Sequence, residues 1–93
     1  MGLKFEWDRR KAASNSKKHG VSFEDAATAF GDPLSVTIHD PKHSDDEDRF
    51  LLLGETQDKK KLVVVAHTDR NDTIRIISAR PATGREREEY EKG

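Results

Sequence analysis

The fold of this chain is decided by residues 62–81, which read LVVVAHTDRNDTIRIISARP. Two apolar runs rich in branched side chains, Leu62–Val65 and Ile74–Ile77, have the length and composition of β-strands. The polar connection Asp69–Asp72 is short, so the two strands should form an antiparallel hairpin. Asn71 is the natural residue for a left-handed position in the turn. The sequence therefore predicts a β-hairpin at the centre of the fold.

Further strands and helices are predicted on both sides of this hairpin. Apolar runs predict three more strands, at residues 4–7, 34–38 and 50–53. Capping residues and helical periodicity predict three helices, at residues 9–19, 23–30 and 83–90. The order is thus β-α-α-β-β-β-β-α, and short polar connections make the later strands an antiparallel meander. We expect an α+β fold in one domain, residues 1–93, with about four to five strands and helices packed on one sheet face.

The composition narrows the class of protein. The chain has 93 residues and no cysteine, which removes disulfides, thiolate zinc sites and cysteine nucleophiles. No apolar run approaches the ~18–20 residues that a membrane span needs, and the start of the chain lacks a signal-peptide stretch. No glycine-rich loop that could cradle phosphates is present. We therefore expect a cytoplasmic protein without a membrane anchor or a cofactor.

Positive charge is concentrated in two segments, although the net charge is only −1. Residues 1–20 carry six basic and two acidic side chains, and residues 70–87 carry five arginines against two acids. If the fold joins these segments, their surface would favour a polyanion such as RNA. Charge that serves only solubility is the alternative interpretation. The candidate phosphate contacts are Lys11, Lys18, Arg70 and Arg85.

Two arginines and two histidines are the candidates for catalysis. If Asn71 lies at the centre of the turn, His67 lies opposite Arg75, and the cation keeps the imidazole neutral. The arginine could then hold phosphate oxygens while the histidine moves a proton. Arg80 follows Arg75 by five residues, so in a regular strand it faces away from it. His19 is either a second proton carrier or a cap for the last carbonyls of the first helix.

A histidine-containing loop raises a separate hypothesis of metal binding. His39, Asp40, His43 and Asp45 are all acceptable ligands for zinc or manganese. The segment is predicted to be a solvated acidic loop, which favours the interpretation without a metal. Contact with a protein partner is a further possibility for this loop.

Several segments together resemble the BrnT toxin family. They are Phe5-Glu6-Trp7-Asp8, Lys18-His19-Gly20-Val21-Ser22-Phe23, Asp32-Pro33, and the most specific one, Thr73 to Arg80 with Ala82-Thr83, Arg85-Glu86 and Tyr90 after it. The resemblance implies a type II toxin that is a ribonuclease with a RelE-like microbial RNase fold. It also implies an antitoxin partner similar to BrnA. The toxin would contact operator DNA only through this antitoxin.

The resemblance further implies a mechanism of RNA cleavage that uses no metal. The ribose 2′-hydroxyl attacks the adjacent phosphate, and basic side chains stabilise the charge that develops. Arg75, Arg80, Lys18 and His19 lie at positions that match the family's pattern. Two other functions stay open at this point. One is a non-catalytic binding module that acts through an antitoxin and operator DNA, and the other is a metal-dependent hydrolase that uses His39 and His43.

Overall fold

The computed structural model describes residues 3–93, in which five strands form one sheet and three α-helices pack against it. The strand order across the sheet is β1-β5-β4-β3-β2. The α+β class and the chain order of the elements confirm the prediction from the sequence. The elements are β1 (Lys4–Glu6), α1 (Arg9–His19), α2 (Phe23–Thr28), β2 (Val36–His39), β3 (Arg49–Glu55), β4 (Leu62–Arg70), β5 (Thr73–Pro81) and α3 (Gly84–Lys92).

The sheet is mixed rather than purely antiparallel. Strands β2 to β5 form the predicted antiparallel meander, but β1 joins β5 in parallel, with Glu6 opposite Arg75. Short connections impose antiparallel pairing on neighbouring strands. The connection from β1 to β5 includes most of the chain, so it imposes no such constraint.

The central hairpin has a different register from the predicted one. Arg70 pairs with Thr73, so the turn consists of Asn71 and Asp72, and Asn71 has the expected left-handed backbone, with φ of 56°. A turn of two residues shifts the pairing by one position relative to a turn centred on Asn71 alone. The pairing is irregular between Ala66 and His67, where Ile77 is the extra residue of a β-bulge.

The two N-terminal helices cover one face of the sheet, which we call the helix face. Capping signals define α1 well, since the Asp8 carboxylate accepts from the amides of Arg10 and Lys11, and Gly20 ends the helix with φ of 69°. The core lies between these helices and the sheet. Its fully or nearly fully buried side chains are Val21, Phe23, Ala26, Ala29, Leu52, Val63, Val65, Ile76 and Ala79.

The buried side chain of Asn15 fastens α1 to the sheet. Its Nδ2 donates to the carbonyls of Val21 and Ala79 at 3.0 and 2.8 Å, and its Oδ1 accepts from the Ala79 amide at 3.1 Å. Strand β1 ends opposite Arg75, so farther along β5 the amide side chain takes the place of a neighbouring strand. Backbone groups that would be left unpaired in the interior are satisfied in this way.

The third helix lies on the opposite face of the sheet, so the prediction that the helices pack on one face is wrong for α3. It begins with the predicted capping box of Thr83 and Glu86. Near its end, the Tyr90 hydroxyl donates to Asp32 Oδ2 at 2.6 Å, which raises the pKa of Tyr90 to about 12. Polar contacts, rather than an apolar stripe, therefore hold this helix in place. None of the helices within residues 3–93 is long and apolar enough to cross a membrane.

Candidate active site

The sheet face opposite α1 and α2 carries arginines on three adjacent strands, β3, β4 and β5; we call it the arginine face. Arg49 of β3 lies opposite Thr68 of β4, which lies opposite Arg75 of β5. Adjacent strands are about 4.8 Å apart, so these three residues form a row across the sheet. Arg70 lies two residues beyond Thr68, on the same face.

The bulge at Ile77 brings Arg80 to the arginine face as well. Arg75 pairs with Thr68 and Arg80 pairs with Val64, and these two partners are four residues apart on β4. Both arginines therefore face the same way, contrary to the prediction for a regular strand. The extra residue of the bulge interrupts the alternation of the strand, so two residues that are five positions apart lie on the same face. Four residues of strand correspond to about 13 Å, so the two arginines lie on one face without converging on one point.

A polar pocket of about 300 Å³ opens at the Arg49 end of the arginine face; we call it the loop pocket. Arg49 and Thr68 line it, and their Nε and Oγ1 atoms are buried and have no hydrogen-bond partner within residues 3–93. Buried polar atoms are normally paired, so these two invite a ligand with hydrogen-bonding oxygens. The pocket is lined by Lys42, His43, Asp45, Asp46, Glu47, Arg49, Thr68 and Ile77.

A histidine in the loop pocket is oriented by a carboxylate. His43 Nδ1 lies 2.9 Å from Asp40 Oδ2, and its side chain is 59% exposed, so Nε2 stays accessible. Ser44 fixes this loop, because its hydroxyl donates to the Asp40 carbonyl and accepts from the Arg49 amide. His39 instead contacts Asp48, at 3.1 Å. The two histidines thus form separate pairs, and no cluster of three potential metal ligands occurs in the described part of the chain.

Carboxylates hold three of the arginines on this face. Arg75 contacts Glu6 at 2.8 Å, Arg70 contacts Glu47 at 2.7 Å, and Arg80 contacts both oxygens of Glu86 at 2.8 Å. The hydrogen bonds from Arg80 lower the pKa of Glu86 to about 2. The Arg70 and Arg75 pairs are partly exposed, and exposed ion pairs contribute only about 0–1 kcal/mol. A bound polyanion can therefore displace those carboxylates at little cost.

His67 does not lie beside Arg75, so the predicted juxtaposition is wrong. The shifted register places His67 opposite Ile76, on the helix face, where it is 4% exposed. Its ring lies between Phe30 and Phe50, with centroids 4.8 and 5.8 Å away. Neither ring nitrogen has a hydrogen bond to any part of the chain from Leu3 onward, although Nδ1 is 3.4 Å from the Asp69 carboxylate. Burial lowers the pKa of His67, and Asp69 offsets this only in part.

Replacing His67 with phenylalanine should therefore stabilise the protein by about 1–2 kcal/mol, because two unsatisfied buried nitrogens are removed. The native state keeps this histidine neutral while the unfolded chain protonates it near pH 6.5. Wild-type stability is therefore lost as the pH falls below about 6.5, and the advantage of His67→Phe should grow from pH 8 to pH 5.5. Urea unfolding at both pH values measures this. An advantage independent of pH contradicts the assignment, and we expect cleavage of RNA to be retained.

The remaining predicted residues are spread around the molecule. Helix α1 runs beside β5 in the same direction: β1, just before the helix, ends with Glu6 opposite Arg75, and Asn15 farther along the helix contacts Ala79. Lys18 and His19 follow Asn15 and therefore lie on the helix side, away from Arg75. Three of the basic candidates are exposed and form no ion pair within residues 3–93: Lys11, Lys18 and Arg85.

Sequence reasoning missed the contents of the loop pocket. Thr68 is not predicted as a site residue, because the apolar run that predicts β4 ends at Val65, whereas the strand continues to Arg70. The sequence suggests metal ligation, a solvated loop or contact with a partner for His43 and Asp40, but not proton transfer. The alternation that places Thr68 and Arg70 on one face is visible in the sequence once the strand is extended.

These observations define a small α+β protein with several arginines on one face of its sheet. A family model described as the ribonuclease toxin BrnT of a type II toxin–antitoxin system matches residues 7–86. The chain belongs to this BrnT toxin family, which confirms the resemblance and implies an antitoxin partner. No curated protein matches the chain.

Proposed function

We propose that the chain is a metal-independent endoribonuclease and that the arginine face is its RNA-binding and catalytic surface. The observation that carries this proposal is the loop pocket, where the unpaired polar atoms of Arg49 and Thr68 lie in one row with Arg75. Guanidinium groups match the geometry of phosphate oxygens and keep their charge at any physiological pH. A scissile phosphate in this row would contact cations from two strands.

The reaction is transfer of the phosphate to the neighbouring hydroxyl. The ribose 2′-oxygen forms a bond to phosphorus while the bond to the 5′-oxygen breaks, which leaves a 2′,3′-cyclic phosphate and a 5′-hydroxyl end. Negative charge grows on the two non-bridging oxygens, where Arg49 and Arg75 stabilise it. The same pocket offers His43, whose Nε2 accepts the proton of the 2′-hydroxyl while Asp40 holds the ring at Nδ1. The protonated ring then supplies a proton to the leaving 5′-oxygen.

Other cations serve to hold the RNA backbone. Arg70 lies beside the row and Arg80 about 13 Å away along the strand, so we assign Arg80 to a neighbouring phosphate rather than to the scissile one. Lys11, Lys18 and Arg85 are exposed and can contact more distant phosphates. His19 and His67 take no part in this mechanism, since they lie on the helix side and in the core.

We also propose the cellular setting that the family implies. The protein acts in the cytoplasm, where a BrnA-like antitoxin neutralises it. It reaches operator DNA only as part of the complex with that antitoxin. These statements rest on membership of the family.

Cleavage in the presence of excess chelator tests the proposal. The antitoxin-free protein is incubated with total RNA and EDTA, and the fragment ends are characterised beside an Arg75→Ala variant purified in the same way. We expect fragments with cyclic phosphate ends from the wild type alone. Cleavage that needs an added divalent ion contradicts the metal-independent mechanism. Intact RNA would contradict free-standing catalysis and favour a ribosome-dependent or binding role.

A further inference from the structure

Strand β2 offers an open edge of the sheet. It is the last strand in the order, it pairs only with β3, and all four of its residues, Val36–His39, are exposed. An unpaired edge presents a row of amides and carbonyls that can accept another strand. Nothing within residues 3–93 covers this edge.

The same edge exposes apolar side chains that lead into a groove. Leu34, Val36 and Ile38 are 67%, 40% and 57% exposed, respectively. Val36 and Ile38 line a cavity of about 270 Å³ on the arginine face, which we call the β2 groove. Contiguous exposed apolar surface of this kind marks an interaction site. The rest of the groove's apolar lining comes from Leu51 and Leu53 of β3 and Val64 of β4, and α3 contributes Glu86 and Glu89.

The charge at the rim of the β2 groove defines the partner further. Its two acidic side chains come from α3: Glu86 is occupied by Arg80, while Glu89 is exposed. A basic residue of a partner would be attracted to Glu89. The groove also continues to the proposed RNA surface, because Val64 on its floor pairs with Arg80. A partner seated here would lie beside that surface.

We propose that an extended segment of the antitoxin adds a strand to the open edge of β2. Alternate apolar side chains of this segment fill the β2 groove, and a lysine or arginine at its end contacts Glu89. This recognition mode takes affinity from main-chain hydrogen bonds and specificity from the side-chain pockets. The inference rests on the antitoxin partnership proposed above and is independent of the chemistry in the loop pocket.

The direction of the backbone groups makes the proposal specific. The Asp40 amide donates to the Arg49 carbonyl at 2.8 Å, so the backbone amide of residue 40 points toward β3. The direction of the backbone groups alternates along an antiparallel strand. The amides and carbonyls of Val36 and Ile38 therefore also point toward β3, whereas those of Thr37 and His39 point away from the sheet. Only Thr37 and His39 can bond to an added strand.

Proline at position 37 tests this geometry. Thr37→Pro removes an outward amide without removing a bond to β3, a position where edge strands tolerate proline. The matched control, Thr37→Ala, keeps the amide. With a purified BrnA-like antitoxin, we expect Thr37→Pro to raise the Kd about tenfold or more and Thr37→Ala to leave it unchanged. Equal affinities of both variants for the antitoxin would overturn the proposal.

Hydrogen exchange on the unmodified protein gives a second, independent measurement. The amides of Thr37 and His39 should exchange fast in the free chain and slowly in the complex, whereas Ile38 is protected in both. Unchanged exchange at Thr37 and His39 overturns the proposal even if Thr37→Pro misfolds. A free-chain dimer that Thr37→Pro dissociates would assign the edge to a second copy and likewise overturn it. Absence of RNA cleavage, by contrast, would contradict the ribonuclease mechanism alone.

Discussion

Arg75→Ala should lower the rate of RNA cleavage by at least about 100-fold, the loss typical when one preorganised donor to a developing oxyanion is removed. The variant loses one of the two cations of the row that Arg75 forms with Thr68 and Arg49. Stability should change by less than about 1 kcal/mol, because the ion pair with Glu6 is partly exposed. Single-turnover cleavage of a labelled RNA and urea unfolding measure the two effects. A loss of less than about tenfold would contradict a role in the transition state.

Glu6→Gln is the matched control, and its expected effect has the opposite sign. In the free protein the Glu6 carboxylate lies 2.8 Å from Arg75, where it competes with a phosphate. Glutamine keeps the size of the side chain but removes the charge, so RNA should bind more tightly, most clearly at low salt. If Arg75→Ala and Glu6→Gln both reduce cleavage to the same extent, the pair is structural and the assignment of Arg75 to the phosphate fails.

Local signals in the sequence predicted the helices and most of the strands well. Asp8 and Gly20 define the ends of α1 through contacts within four residues of each, and the capping box of Thr83 starts α3 in the same way. Such contacts depend only on neighbouring residues, so the sequence pattern contains them. The parallel pairing of β1 depends on a partner almost 70 residues away, and no local pattern encodes it.

The candidate site was less predictable because it depends on register. A turn of two residues instead of one moved His67 from the side of Arg75 into the core, since a shift by one position reverses the face of every side chain. Because of the bulge at Ile77, Arg80 lies on the arginine face together with Arg75. Turn length and bulges follow from how the whole sheet packs. The arginines themselves were visible in the sequence, but their common face was not.

The pairing of His43 with Asp40 illustrates the same limit in a loop. The sequence shows two histidines among acids, a composition that fits a metal site as well as a solvated loop. In the structure, the Ser44 hydroxyl bonds to both the Asp40 carbonyl and the Arg49 amide. These two hydrogen bonds hold the loop against the start of β3. A hydrogen bond between a loop and a strand end depends on both being in place.

The largest effect on stability is expected from Asn15→Asp, which should lower the free energy of unfolding by at least about 3 kcal/mol at pH 7. The new carboxylate would face the carbonyl oxygens of Val21 and Ala79, which now accept hydrogen bonds from Asn15 Nδ2. A domain of this size has a total stability of roughly 5–14 kcal/mol. The loss therefore corresponds to a decrease in Tm of about 12–24 °C.

The pH dependence of this variant separates buried charge from simple loss of packing. Burial among carbonyls raises the pKa of an aspartate at position 15 above its unfolded value near 3.9. The unfolded state then ionises first as the pH rises, so the deficit relative to wild type should be small at pH 3.5 and grow toward pH 7. Ser14→Asp, which adds the same charge at an exposed position of α1, should show little of this dependence. If Asn15→Asp and Ser14→Asp lose the same stability at every pH, Asn15 does not fasten α1 to β5 as its three hydrogen bonds indicate.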